Sequence, residues 1–169
     1  VRNAKEKGEV LALDARIDEE NDITEITIFT ADHPGLFSRI AGAMALSGAN
    51  IVDAKIFTMT SGMALDIFSI QDYRGRALIE KLSLDRLRTR IEKTLTGELN
   101  VSEMLGKEPS FSERTNVFRV PPRVLINNSA SSTHSLIEVN ALDRAGLLHQ
   151  VTRALTQLGL QISSALITT

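Results

Sequence analysis

The run Asp32-His33-Pro34-Gly35-Leu36 contains the residue types in this chain that best suit the binding of a small charged molecule. It lies between a run with strand-like alternation and a run with helical spacing, which predicts the N-terminus of a helix. Backbone N–H groups and the helix dipole at such a terminus favour a carboxylate. Gly35 would let a ligand approach the backbone closely, and Asp32 could hold an ammonium group. Asp32, His33, Pro34, Gly35 and Leu36 are therefore candidate ligand-binding residues.

The same run also fits a plain helix start without a ligand. Asp32 would then be the N-cap, Pro34 the first helical residue, and Gly35 the residue that relaxes the turn. The residue types alone do not decide between these two interpretations, so both stay open at this point.

A repeat supplies a second copy of the loop. Residues 30–37 match residues 141–148, and Gly48-Ala49-Asn50-Ile51 matches Gly159-Leu160-Gln161-Ile162. In the second copy Ala145 stands where the first has Pro34. Two copies of one unit at a fixed offset predict two domains of the same fold.

The repeat also extends the candidate site. Asn50 lies at the entrance to a predicted strand, and its amide can both donate and accept hydrogen bonds, which suits a zwitterion. Asn50 could equally be a turn residue that follows Gly48. Gln161 is its counterpart in the second copy, and Asp143 is the counterpart of Asp32. The further candidate ligand-binding residues are Asn50, Asp143, Gly146, Leu147 and Gln161.

Other kinds of chemistry find no support in the sequence. The three histidines lack metal-ligand spacing, and the absence of cysteine excludes disulfides and thiolate catalysis. Asp53 and Asp66 lie on predicted strands without a nucleophile beside them, and we interpret them as outward-facing residues that can pair with Lys55. No phosphate-binding glycine loop or nucleophile elbow occurs. We therefore predict neither catalytic nor metal-binding residues.

Composition narrows the range of partners. The chain has 169 residues, a net charge of −2 and only 4% aromatic residues. Nucleic acid is not expected as a partner, because phosphate binding needs clustered Lys and Arg and base stacking needs aromatic side chains. No apolar run reaches the length of a membrane span, so no membrane contact is expected.

The elements around the loop follow from periodicity. Alternation of Leu11, Leu13, Ala15 and Ile17 predicts an edge strand. The next predicted elements are a strand over 23–30, a helix from Leu36 to Gly48, strands over 50–58 and 63–70, a helix over 85–96 and a helical turn over 101–105. In the strand over 50–58, Val52, Ala54 and Ile56 are predicted to lie on one face. This β-α-β-β-α order lacks a closing strand, which residues 123–127 could supply.

The boundaries of the predicted domains follow from these elements. An N-terminal segment covers 1–21, a first domain covers 22–127 with a polar insertion over about 98–122, and 128–132 form a linker. A second domain over 133–169 contains a strand over 136–141, a helix and a strand over 162–169. The second copy stops after that strand and the chain does not begin with Met, so we expect a piece of a longer protein.

A strand, an Asp-x-Pro-Gly-Leu loop, a helix ending in Gly-x-Asn-Ile and a hairpin resemble the ACT domain, a ligand-binding module. The longer matches over 32–43, 51–58, 62–66, 118–124 and 143–148 resemble the tandem ACT region of bacterial PII uridylyltransferases. The resemblance covers nearly all of the chain from about residue 15 onward. It implies the α+β fold class, with ferredoxin-like βαββαβ domains in which helices cover one face of an antiparallel sheet.

The resemblance also implies a function. A nucleotidyltransferase elsewhere in the longer protein, with Mg²⁺ as its metal, would attach UMP to the PII signalling protein, and a hydrolase would remove it. The ACT pair would sense glutamine in the cytoplasm and bias the two activities. An exposed sheet edge invites pairing, so we expect ACT–ACT pairing or a homodimer.

Two alternatives remain beside the sensor. The ACT-like sheets could form a structural or protein-docking module that binds no small ligand. The chain could also be the regulatory tail of an amino-acid-biosynthesis enzyme, because such enzymes use the same fold.

Overall fold

A four-stranded antiparallel sheet is the base of the first of two compact units. The computed structural model describes residues 11–107, 121–144 and 146–167; the first unit comprises 1–107 with 145–169 and the second 108–144. The sheet has the order β1-β2-β4-β3. Its strands are β1 Ala12–Asp18, β2 Ile23–Ala31, β3 Asn50–Thr58 and β4 Met63–Gln71.

β1 occupies the edge beside β2 and confirms the predicted edge strand. The two strands pair antiparallel through a tight turn, in which the Asn21 amide donates to Asp18 Oδ2 over 2.8 Å. The prediction that residues 123–127 close this sheet is wrong. A strand joined by a short turn reaches the free edge at a much smaller loop-closure cost than one that follows a long connection.

Alternation along the strands separates a buried face from an exposed one. β2 buries Thr24, Ile26 and Ile28, and β4 buries the side chains Ala64, Asp66, Phe68 and Ile70. The prediction that Val52 shares one face with Ala54 and Ile56 is wrong. The β3 register shifts between Ile51 and Asp53, and this bulge turns Ile51 rather than Val52 toward the core.

Helices cover the buried face of the sheet. They are α1 Leu36–Leu46, α2 Lys81–Leu95, α3 Val101–Lys107 and α4 Leu147–Gln157. α1 lies at the centre, with Ile40 and Met44 fully buried, and contacts the other three helices. α2 begins four residues before the predicted Asp85. Arg90 of α2 donates to the Leu46 carbonyl and so satisfies the C-terminus of α1.

The repeat is visible in the backbone. Gly35 and Gly146 precede α1 and α4 with positive φ angles of 84° and 77°, a conformation that favours glycine. After α1 the Gly48 N–H donates to the Ala45 carbonyl, and after α4 the Gly159 N–H donates to the Thr156 carbonyl, each over 3.0 Å. Both copies thus begin and end their helix in the same way.

The second helix of the repeat packs antiparallel on the first. The start of α1 at Gly35 lies near Thr156 at the end of α4, and Gly42 lies against His149. Ser38 and His149 touch and are 111 residues apart, which is the offset between Gly35 and Gly146. Equivalent positions in contact are the signature of a local two-fold arrangement.

The segment after α4 continues this arrangement. Ala165 forms an antiparallel bridge with its own counterpart, Ala54 of β3. A regular strand over 162–169 was predicted, and over the described residues 162–167 it is wrong, because only this isolated bridge forms. Residues 168 and 169 lie outside the described residues.

The second unit contains a β-hairpin. Its strands, β5 Arg123–Asn127 and β6 Leu136–Asn140, pair antiparallel from Arg123↔Asn140 to Asn127↔Leu136. Both strands were predicted, but each was assigned to a different domain. The predicted boundaries stay predictions, and most of the polar insertion over 98–122 lies outside the described residues. An antiparallel sheet covered by helices confirms the α+β fold class and is consistent with a ferredoxin-like ACT fold.

No helix among the described residues is both long and apolar enough to cross a bilayer.

The close approach of three helices at Gly42 gives a stability prediction. A Cβ at Gly42 would collide with Val101 of α3 and lie 2.8 Å from His149 Nδ1 of α4. Because both helices must shift, we expect Gly42→Ala to destabilise the chain by about 1–3 kcal/mol and to lower Tm by several degrees. Gly106→Ala, whose Cβ meets open space, is the matched control. Equal Tm values for the two variants in thermal unfolding would contradict this packing.

Candidate functional site

A cleft of about 270 Å³ opens beside the loop that follows β2. Its first wall is the loop from Asp32 to Gly35, and its floor is made by Phe37, Ile56 and Asp66. The opposite wall comes from the second copy of the repeat, namely Thr156 and residues 160–163. The cleft therefore exists only because the two copies pack together.

Half of the predicted site residues line this cleft. The structure brings together Asp32, His33, Pro34, Gly35 and Gln161. Of the others, Leu36 is a buried core residue, Asn50 begins β3, Gly146 and Leu147 begin α4, and Asp143 belongs to the second unit.

Asn50 is separated from the cleft by the length of β3. The cleft touches β3 at Ile56 and Thr58, at least six residues beyond Asn50. At a rise of roughly 3.3 Å per residue, Asn50 lies about 20 Å from Ile56. The two-fold packing instead places its counterpart Gln161 opposite the first loop. The cleft thus combines the loop of one copy with the strand entrance of the other.

The loop at the first wall is held by its backbone. The Asp32 N–H donates to the Gly62 carbonyl over 2.9 Å, and the Leu36 N–H donates to the His33 carbonyl over 3.1 Å. The N-cap of α1 is Gly35, without a side-chain capping bond. Asp32 as N-cap and Pro34 as first helical residue are therefore both wrong. The Asp32 side chain is exposed at the rim of the cleft.

Asp66 is the residue that sequence reasoning misplaced. It was interpreted as outward-facing, but it is only 1% exposed, on the buried face of β4. Its neighbours across the sheet are Ile28 on β2 and Ile56 on β3, while Lys55 pairs with Ile67. The signal was available, because strict alternation from Phe68 places Asp66 on the inward face.

The carboxylate of Asp66 has no hydrogen-bond partner among the described residues. Neither of its oxygens forms a hydrogen bond there, although both are shielded from water. Burial, and then the charge of Asp32, raise the pKa of Asp66 to about 7. Among the described residues that line the cleft, none is a lysine or an arginine. This electrostatic environment favours a positively charged group.

His149 is a second residue that sequence reasoning passed over. It is 5% exposed, and its Nδ1 lies 2.7 Å from the Ser38 carbonyl, which can only accept, so Nδ1 carries the hydrogen. Its Nε2 lies 3.2 Å from Ser102 Oγ of α3. His149 therefore joins three helices and fixes α4 in the position that forms the cleft wall.

Metal-ligating side chains do not gather in the described part of the chain. There, no group of three or more His, Asp or Glu residues is placed to hold an ion.

Comparisons with known proteins give consistent matches. The chain is 55% identical over 161 residues to the bifunctional uridylyltransferase/uridylyl-removing enzyme of Azospirillum brasilense, covering 94% of this chain and 17% of that protein. It is 47% identical over 170 residues to the protein of that name from Rhodospirillum rubrum, covering 100% and 18%. It is 52% identical over 152 residues to that of Gluconobacter oxydans, covering 89% and 16%.

The matches are confined to one region of these relatives. The chain spans less than a fifth of the length of each of the three. No protein-family model matches the chain. No solved structure matches it either.

The raised pKa of Asp66 gives a prediction about stability and pH. A carboxyl pKa of about 7 in the folded state, against an ordinary value of 3.8, means that the folded chain binds more protons than the unfolded chain between these values. Stability is therefore lost as pH rises from about 4 to about 7, by up to about 4 kcal/mol for this group. We expect Asp66→Asn to remove this loss in urea unfolding measured from pH 4 to pH 8.5.

Asp53→Asn is the matched control for that experiment, because Asp53 lies half-buried on β3 and does not line the cleft. This variant should retain the pH dependence of the unmodified chain. The same dependence in Asp66→Asn would show that the carboxylate is not held as the structure indicates.

Proposed function

The chain is a homologue of one region of the bifunctional uridylyltransferase/uridylyl-removing enzymes, and from this premise we propose that it is the amino-acid sensor of such an enzyme. The observation that carries the proposal is the cleft between the two copies of the repeat. It joins Asp32 and Gly35 of one copy to Gln161 of the other. A ligand held there contacts both copies at once.

The chemistry of the cleft matches the groups of glutamine. The N-terminus of α1 lies at the cleft and favours an α-carboxylate. Asp32, exposed at the rim, suits the α-ammonium group. Gln161 and Ser163 of the second copy can donate to and accept from the side-chain amide of the ligand. These complementary groups support glutamine as the ligand.

Regulation would follow from the contact between the copies. A ligand shifts an equilibrium only if it binds two packings with different affinity. Because the cleft has one wall from each copy, any change in the packing of α4 on α1 changes the distance between the two walls. Glutamine in the cleft would therefore stabilise one packing, which we propose to be ACT–ACT pairing within one chain.

The packing of the two copies would change the activity of catalytic domains that lie outside this chain. In the proposed enzyme these transfer UMP to the PII protein and remove it, and the Mg²⁺ needed for transfer belongs to them. Glutamine would bias the enzyme between the two activities. The alternatives kept from the sequence, a docking module or a biosynthetic enzyme's tail, differ by binding no amino acid or a different one.

Ligand-dependent stabilisation tests the proposal. Glutamine at a hundred times its Kd should stabilise the chain by about 2.7 kcal/mol and raise Tm by several degrees, and glutamate should do less. Asp32→Ala and Gln161→Ala should abolish the shift without unfolding the chain, because both line the cleft and neither is buried.

Asn50→Ala is the discriminating control, since Asn50 carries an amide at the equivalent position of the other copy but lies away from the cleft. It should keep the glutamine shift. No shift in the unmodified chain would favour the docking module, and loss of the shift in Asn50→Ala alone would place the ligand elsewhere.

A further inference from the structure

The buried carboxylate of Asp66 stands out among the residues that the proposed function does not use. It lies at the floor of the cleft, is 1% exposed, and has both oxygens without a hydrogen-bond partner among the described residues. Buried polar groups nearly always have a partner, and leaving one without a partner is costly. Such a group at the floor of a cleft indicates that a ligand supplies the partner.

Asp66 lines the cleft, so a partner can approach it from there. Its neighbours on β2 and β3 are Ile28 and Ile56, which offer no donor side chain. The other polar residues that line the cleft are Asp32 and His33 from the loop and the uncharged Thr58 from β3, together with Thr156, Gln161 and Ser163 from the second copy. Of these, only Asp32 and His33 carry ionisable side chains.

We propose that Asp66 receives the ammonium group of the ligand at the floor of the cleft, with Asp32 as the second carboxylate at the rim. This inference rests on the proposed function and names a determinant of its specificity. A primary ammonium group carries three donors, enough to serve both carboxylates. A charge-assisted bond formed away from water is also stronger than one at the surface.

A divalent metal ion fits the floor less well. Such ions take several oxygen ligands, and the described residues hold no group of three or more ligating side chains. Asp66 would thus select ligands with a free primary amine over analogues that lack it.

Proton release is the consequence that can be measured. Binding an ammonium group requires the ionised carboxylate, and the pKa of Asp66 is raised to about 7. Below that pH a proton must leave when the ligand binds, and affinity should fall about tenfold for each further pH unit. At pH 8 binding should release close to no proton from Asp66.

Calorimetry of the chain with glutamine tests this inference. Titrations at pH 6 and pH 8, each in two buffers of different ionisation enthalpy, count the protons released. We expect about one proton at pH 6, and a loss of affinity of about tenfold to a hundredfold at pH 8 in Asp66→Asn. Asp66→Asn should lose the proton release, whereas Asp53→Asn, which does not line the cleft, should keep it.

A second probe guards against a folding defect in the Asp66 variant. The glutamine analogue 4-carbamoylbutanoate lacks the α-amino group, so its weaker binding should be unchanged by Asp66→Asn. Glutamine binding without proton release at pH 6 and with full affinity in Asp66→Asn would overturn the role of Asp66 and leave the glutamine sensor standing. No glutamine binding by the unmodified chain would overturn both.

Discussion

The antiparallel contact between α1 and α4 is the interaction on which the cleft depends. α1 belongs to the first copy of the repeat and carries the loop that forms one wall. α4 belongs to the second copy and leads directly into the opposite wall. The contact permits a close approach because Gly42 has no side chain where His149 lies. It is oriented by hydrogen bonds, because the Nδ1–H of His149 donates to the Ser38 carbonyl away from water.

This contact also explains why the site combines the loop before α1, from the first copy, with the residues after α4, from the second copy. When two equivalent elements pack about a local two-fold axis, the start of each helix faces the end of the other. The residues after α4 therefore face the loop before α1, as Gly35 and Thr156 show. The Ala54–Ala165 bridge repeats the relation at the sheet edge. A single copy of the repeat supplies only one wall.

Local signals in the sequence were sufficient for most of the fold. The loop, its glycines and the apolar faces of the helices depend on nearby residues, and the repeat of Gly35 as Gly146 is visible in the sequence itself. Pairings between distant segments were not predictable in this way. β1 and residues 123–127 were both predicted as strands, and the one that joins the sheet is the one with the short connection to β2.

The candidate site was predicted in part for the same reason. Asp32 to Gly35 follow from local helix-start chemistry, but the choice of Gln161 over Asn50 depends on how the copies pack. Asp66 was misjudged because a charged residue was assumed to face water, although the alternation of its strand indicated the core. Buried charged residues are often found at functional sites. Asp66, which was predicted on the wrong face, is therefore also the residue of greatest functional interest.

The central claim is that an amino acid binds between the two copies of the repeat. A crystal structure of the chain grown with glutamine tests it most directly. The account predicts glutamine between the Asp32–Gly35 loop and Gln161, with its ammonium group directed to the floor of the cleft. Glutamine bound beside Asn50, or elsewhere on the surface with that cleft filled only by water, would contradict it.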